Sequence, residues 1–193
     1  MGLDSVELVI SIEKHFAITV SDGEAEKAMT VQDVADLVAK HRPVVPDPRD
    51  IRNEIRERLT MSLDPDPGPN KDEKPFADVC NGRTPSEVWA IWKAAGLKMP
   101  DLPACDQPDR KRNSLLGFLA PKWATGRSVK DLAFGRVLDA IVAHNHQQLI
   151  DPLRPRSRYE ILMAVIGVSS DSLGVPELEM RPTDSYTNDL GVD

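Results

Sequence analysis

Asp4-Ser5-Val6-Glu7-Leu8-Val9-Ile10-Ser11-Ile12-Glu13-Lys14-His15-Phe16 reads as one helix from its cap to its last turn. Asp4 and Ser5 are capping-type residues ahead of an apolar run. Leu8, Ile12 and Phe16 stand four apart with Val9 beside them, which draws a single apolar stripe along the helix. A helix of that pattern is stable only when another element covers the stripe. The first question is therefore what does.

Moving outward, Ala17 to Ala28 is short and acidic and reads as irregular. Thr30-Val31-Gln32-Asp33 has the form of a capping box, and behind it Val31, Val34, Ala35, Leu37 and Val38 repeat at helical spacing. Pro43, Pro46 and Pro48 then close this first zone, since proline cannot occupy a helix interior. A short helix over Ile51–Leu59 leads into Asp64-Pro65-Asp66-Pro67-Gly68-Pro69-Asn70, a composition that favours extended, solvated chain. Farther on, Thr84-Pro85-Ser86-Glu87 combines a cap, a first-turn proline and a capping-box Glu. Ser128-Val129-Lys130-Asp131 is expected to open a helix through Leu132, Val137, Leu138, Ile141 and Val142, and Tyr159–Val168 a short apolar helix followed by a loop to Asp193. No strand-like alternation is long enough to count. The expected class is all-α, in three zones: 1–42, 47–155 and 156–193.

Composition narrows the functions. At 40% hydrophobic but 5% aromatic, the core is expected to be built mainly from Leu, Val, Ile, Ala and Met, as in a small helical bundle. A net charge of −7 argues against nucleic acid, whose phosphates call for clustered Lys and Arg, and fits a partner with a basic surface. Cys80 and Cys105 make no disulfide framework and read as free thiols in a reducing cytosol. No apolar run reaches membrane-spanning length, and the N-terminus has no basic segment leading an apolar one, so the expected setting is the cytoplasm.

The first zone resembles the acyl carrier protein family. The family's signature, Gly-x-Asp-Ser-Leu/Val at a helix start, stands here as Gly2-Leu3-Asp4-Ser5-Val6. The pattern continues through Glu13-Lys14-His15-Phe16, Ile18, Val20, Glu24-Ala25-Glu26-Lys27 and Thr30–Val34, about forty residues in all. Such carriers have a further helix and a long loop before the signature. Those parts resemble the other end of this chain: Arg158–Ile166 for the helix, and Leu178-Glu179-Met180-Arg181-Pro182 through Asn188-Asp189-Leu190-Gly191-Val192-Asp193 for the loop. Gly2-Leu3-Asp4 and Gly191-Val192-Asp193 thus match the same three positions. Circular permutation, exchange of tails between two chains, and a truncated tandem would each produce this order. Completion within one molecule is expected, because each half alone leaves its stripe uncovered. The expected state is a monomer, or a tail-exchanged dimer.

The resemblance implies a small bundle of the carrier type, completed by both ends of the chain, with a helical middle region of its own. It implies that a phosphopantetheinyl transferase attaches 4′-phosphopantetheine to Ser5, next to its signature neighbour Asp4. It further implies that acyl groups ride on this arm as thioesters in fatty-acid, lipid or polyketide-type biosynthesis. Glu7 and Glu13 are the residues that would meet acyl-transferring or condensing enzymes. On its residues alone Ser5 also fits a plain helix cap, and the acidic residues fit a solvated face with a favourable dipole interaction. Leu8, Ile12, Phe16, Val34, Leu37, Val38, Ile161 and Leu162 read as core. No catalytic set is visible, so the chain reads as a carrier and not an enzyme. The alternative is an unmodified, carrier-like interaction scaffold. In the middle region, Trp89 and Trp92 share a helix face and read as core packing. His144 and His146, two apart, lack the spacing of a metal pair. Asp109-Arg110-Lys111-Arg112 reads as a solvated loop, and with Arg127, Lys130 and Arg136 nearby it offers a basic face that could meet the acidic carrier helix.

Overall fold

A computed structural model of the 193-residue chain describes residues 3–63, 71–106 and 128–192. The linker expected at Asp64–Asn70, the basic run Asp109–Arg112 and Arg127 lie outside them. Among the described residues every regular element is helical. The α-helices are α1 (Leu3–Phe16), α2 (Asp22–Ala25), α3 (Val31–His41), α4 (Ile51–Leu63), α5 (Phe76–Val79), α6 (Pro85–Ala94), α7 (Phe134–His144), α8 (His146–Leu149) and α9 (Arg158–Leu173). Two isolated antiparallel bridges, Thr30–Ser185 and Pro75–Ala133, are the extended pairings present. The all-α expectation holds. No helix among these residues is long and apolar enough to cross a membrane.

The chain divides into two compact units: 1–51 with 142–193, and 52–141. In the first, α9 packs against both α1 and α3. That is why α9 is buried nearly all round, with Ile161 and Met163 through Ser169 inaccessible, whereas α1 turns only Leu8, Ile12 and Phe16 inward and α3 only Val31, Ala35 and Val38. Each end of α9 has a residue suited to it. Ser157 caps its N-terminus by accepting from Glu160 N, and Gly174 ends it at φ 67°, a left-handed turn that glycine adopts without strain. The helix therefore extends five residues past the expected Val168. Ser169, which looks like a loop residue in sequence, is buried and bonded to the Tyr186 hydroxyl at 2.9 Å. Glu160 is also buried, its carboxylate held at 2.7 Å by both Arg156 N and Arg156 Nε.

At the other end of α1, Ala17 takes a left-handed φ of 49° and Ile18 N reaches back to Glu13 O at 3.1 Å, the hydrogen-bond signature of a Schellman helix end. Arg42 donates to the carbonyls of Phe16 (2.8 Å) and Ala17 (2.6 Å), so α3's far end satisfies acceptors that α1 leaves over. The 17–28 segment is less irregular than expected: Ser21 and Glu24 close a capping box over the single turn α2.

The second unit is organised by its aromatics. Trp92, Phe76 and Phe134 are fully buried with Trp89 beside them. Ring centroids are 5.6 Å apart for Phe76–Trp92, 5.7 Å for Phe76–Trp89 and 6.4 Å for Trp92–Phe134. Both indole N–H groups find carbonyls, Trp89 on Pro100 (2.7 Å) and Trp92 on Leu59 (3.2 Å), as buried tryptophans require. Helix α4 runs one turn beyond the expected Leu59 and buries Leu63. Arg52 on α4 pairs with Asp139 at 2.9 Å and with Asp72. One expectation fails here. Ser128 caps a separate 3-10 turn, Val129–Asp131, and Leu132 leaves it in an extended conformation. Ala133 then bridges Pro75, with Phe76 N on Leu132 O and Phe134 N on Lys74 O, so α7 starts only at Phe134.

Replacing Trp92 with Ala should lower the stability of this unit by ~3–5 kcal/mol, the usual cost of emptying a buried aromatic site. Urea denaturation followed by far-UV circular dichroism reads that loss.

Candidate functional site

Ser5 occupies the first turn of α1 and is half-buried, between an exposed Asp4 and an exposed Val6. Its position follows from the stripe. With Leu8, Ile12 and Phe16 facing α9, a residue three before Leu8 sits at the edge of the same face. There it borders an apolar cavity of about 200 Å³. Leu8, Val9 and Ile12 of α1 form one wall. Val34 and Leu37 of α3 form another, and Val20, Ala25, Ala28 and Met29 close it from the intervening segment. The remaining wall comes from the far end of the chain: Tyr186, Thr187 and Val192.

That wall is fixed by backbone pairing. The first N–H groups of a helix have no partner within it. In α3, Val31 N donates to Asp184 O (3.2 Å) and Gln32 N to Pro182 O (2.8 Å), while Asp33 N is taken by its own cap, Thr30 Oγ1, at 3.1 Å. Tyr186 N completes the pairing on Met29 O at 3.0 Å. The tail holds its own shape through Asp189, whose carboxylate accepts from Ser185 N (2.8 Å), and through Val192 N on Tyr186 O (2.9 Å) across Gly191 at φ 73°. Burial pushes the Tyr186 phenol up to about 12, so it stays a neutral donor or acceptor for Ser169.

The structure treats the sequence-designated residues differently. Glu7 is exposed on the outer side of α1, where Val6 and Ile10, each 41% exposed, leave an apolar strip. Glu13 turns inward to its own chain, its Oε1 accepting from Val20 N at 2.7 Å, and so pins the loop after α1. Val34 and Leu37, expected as core, are half-buried because they face the cavity, and Leu162 is half-buried as well. Met29, Tyr186 and Thr187 join the site without a local sequence motif that marks them. A lone aromatic residue in the polar run 181–189 is the available signal for Tyr186. Both cysteines are free thiols, Cys80 buried with its thiol pushed up to about 11 by that burial, and Cys105 exposed. His144 is engaged by Glu177 at 2.8 Å.

A stretch of 37 residues is 53% identical to the acyl carrier protein of Thermosynechococcus vestitus. It makes up 19% of this chain and 46% of that protein, so the chain spans less than half the length of the curated relative it matches. No family model matches the chain, and no solved structure matches it. An acyl-carrier-like segment is therefore present, on a chain most of which has no counterpart in that relative.

Glu13→Ala should cost ~1–2 kcal/mol, because the half-buried Val20 N–H loses its acceptor. Glu7→Ala should stay within ~0.5 kcal/mol, as exposed substitutions do. Paired urea titrations of the two variants separate the structural carboxylate from the exposed one.

Proposed function

We propose that residues 1–42 and 156–193 form one acyl-carrier domain in permuted order, with Ser5 as the attachment point for 4′-phosphopantetheine, and that 47–155 is a helical region inserted between them. The observation that carries this reading is the cavity. A serine in the first turn of a helix borders an apolar pocket walled by both ends of the chain, which is the juxtaposition a tethered acyl group calls for.

The residues around Ser5 fit the arm. Its hydroxyl stands where helix N–H groups lack intrahelical partners and the helix dipole is positive, which favours a phosphodiester. Once attached, the arm supplies a terminal thiol on which acyl groups are held as thioesters. Ser5 itself needs no neighbouring base, since the proton transfer belongs to the phosphopantetheinyl transferase. The walls from Leu8, Ile12, Val34 and Leu37 would keep part of an acyl chain out of water, worth ~0.8 kcal/mol for each methylene covered. At ~30 Å³ for a small group such as a water, about 200 Å³ takes roughly six or seven of them.

The outer side of α1 is the part left for partners. Asp4 and Glu7 are exposed there next to Val6 and Ile10, a combination suited to a basic surface with an apolar centre on a transferase or on an acyl-transferring or condensing enzyme. The overall charge of −7 steers the same encounter. Glu13, occupied with Val20 N, takes the structural part.

Incubation with coenzyme A and a broad-specificity phosphopantetheinyl transferase should add one phosphopantetheine by intact-mass spectrometry, and Ser5→Ala should abolish it. No addition to a chain shown to be folded by circular dichroism would overturn the carrier reading in favour of a bare scaffold.

A further inference from the structure

On the other side of α1 two imidazoles face each other. His15 of α1 and His146 of α8 have ring centroids 5.1 Å apart, and the Nε2 atom of each is buried with no hydrogen-bond partner. Buried polar nitrogens left unmatched are uncommon, and each asks for a reason. His146 has a fixed tautomer. Its Nδ1 lies 2.8 Å from Ala143 O, and because a carbonyl only accepts, Nδ1 carries the hydrogen and Nε2 the lone pair. Gly167 of α9 leaves the space the ring occupies: a Cβ there would lie 2.2 Å from His146 Nδ1. Any added proton must therefore enter at Nε2, on the buried side.

The charged groups around the pair do little to receive it. From α1, Glu7 and Lys14 line the same groove and offset each other. From α9, Asp171 stands 3.9 Å from His146 Nε2, but its carboxylate is 60% exposed. The nearby Glu177 is already committed to His144. His15 has no carboxylate among the influences on it; burial first and His146 second hold it down to about 4, and burial likewise lowers His146. Among the described residues no three metal-ligating side chains gather that could hold an ion here.

We propose that the facing His15 and His146 rings are an acid-sensitive latch: mild acid releases α1 from the α8–α9 corner while the 52–141 unit stays folded. The sign follows from linkage. Both rings bind a proton more weakly in the folded chain than at the ordinary histidine value of 6.5, so the contact contributes fully above that pH. Its contribution is lost as pH falls from 6.5 towards the folded values. The inference stands on this packing and does not require Ser5 to be modified.

The test is amide hydrogen exchange by mass spectrometry on the full chain at pH 7.5 and 5.0, normalised to intrinsic rates. At the lower pH α1 peptides should lose protection by about tenfold more than α6 peptides, the factor that corresponds to one unit of differential proton affinity. His15→Phe, which keeps a ring against Phe16 and His146, should hold α1 protection at pH 5.0 close to its pH 7.5 level. Should that variant fail to fold, imidazole titration of the native chain by NMR decides: both rings are expected to titrate below the ordinary histidine value of 6.5. Titration at or above 6.5, or α1 losing no more protection than α6, overturns the latch.

Discussion

Three main-chain hydrogen bonds, from Val31 N, Gln32 N and Tyr186 N, join the two ends of the chain where α3 begins. Each is worth only ~1 kcal/mol net, but leaving the helix donors bare would cost more than the bonds gain. Their importance lies in what they position. With 182–186 laid against 29–32, Tyr186 is buried on Ser169, Val192 is carried to the cavity beside Ser5, and the last wall of that cavity exists. Without them α1 and α3 would still have apolar stripes but no tail to close the space between them.

The same constraint explains the character of α9. A helix flanked on two sides by amphipathic helices and crossed by a tail cannot be amphipathic itself, and this one is apolar nearly all round, with Glu160 and Ser169 each satisfied by a specific partner. The sequence resemblance to an acyl carrier protein segment and the packing of this unit are independent observations. The first concerns 37 residues of the chain. The second groups 142–193 with 1–51 in one compact unit. The first shows an acyl-carrier-like segment, and the second a compact unit built from both ends of the chain.

What was legible in the sequence was local. Thr30 with Asp33, Thr84 with Glu87, and the four-residue spacing of Leu8, Ile12 and Phe16 fix α1, α3 and α6 through bonds and faces within one turn of each other. What escaped was decided at long range. Ser128 has the form of a helix start, yet pairing between residues near 75 and 133 draws Leu132 out straight. Ser169 looks like the end of a helix, yet Tyr186 gives its hydroxyl a buried partner. Glu13 looks like another surface acid on α1, and only the path of the chain to Val20 shows its task. Ser5 could be located from its own neighbours, whereas the walls of the site from Tyr186, Thr187 and Val192 depend on where a distant segment folds.

The central claim is that one molecule supplies both ends of the bundle. The most direct measurement is the nuclear Overhauser effect across the Thr30–Ser185 bridge, recorded on uniformly labelled protein and again after mixing with a large excess of unlabelled chain followed by unfolding and refolding. Completion within one molecule predicts the same cross-peak intensity per labelled chain in both samples. Loss of the cross-peak on dilution would show tails exchanged between molecules, and its absence from both would show that the two ends do not meet.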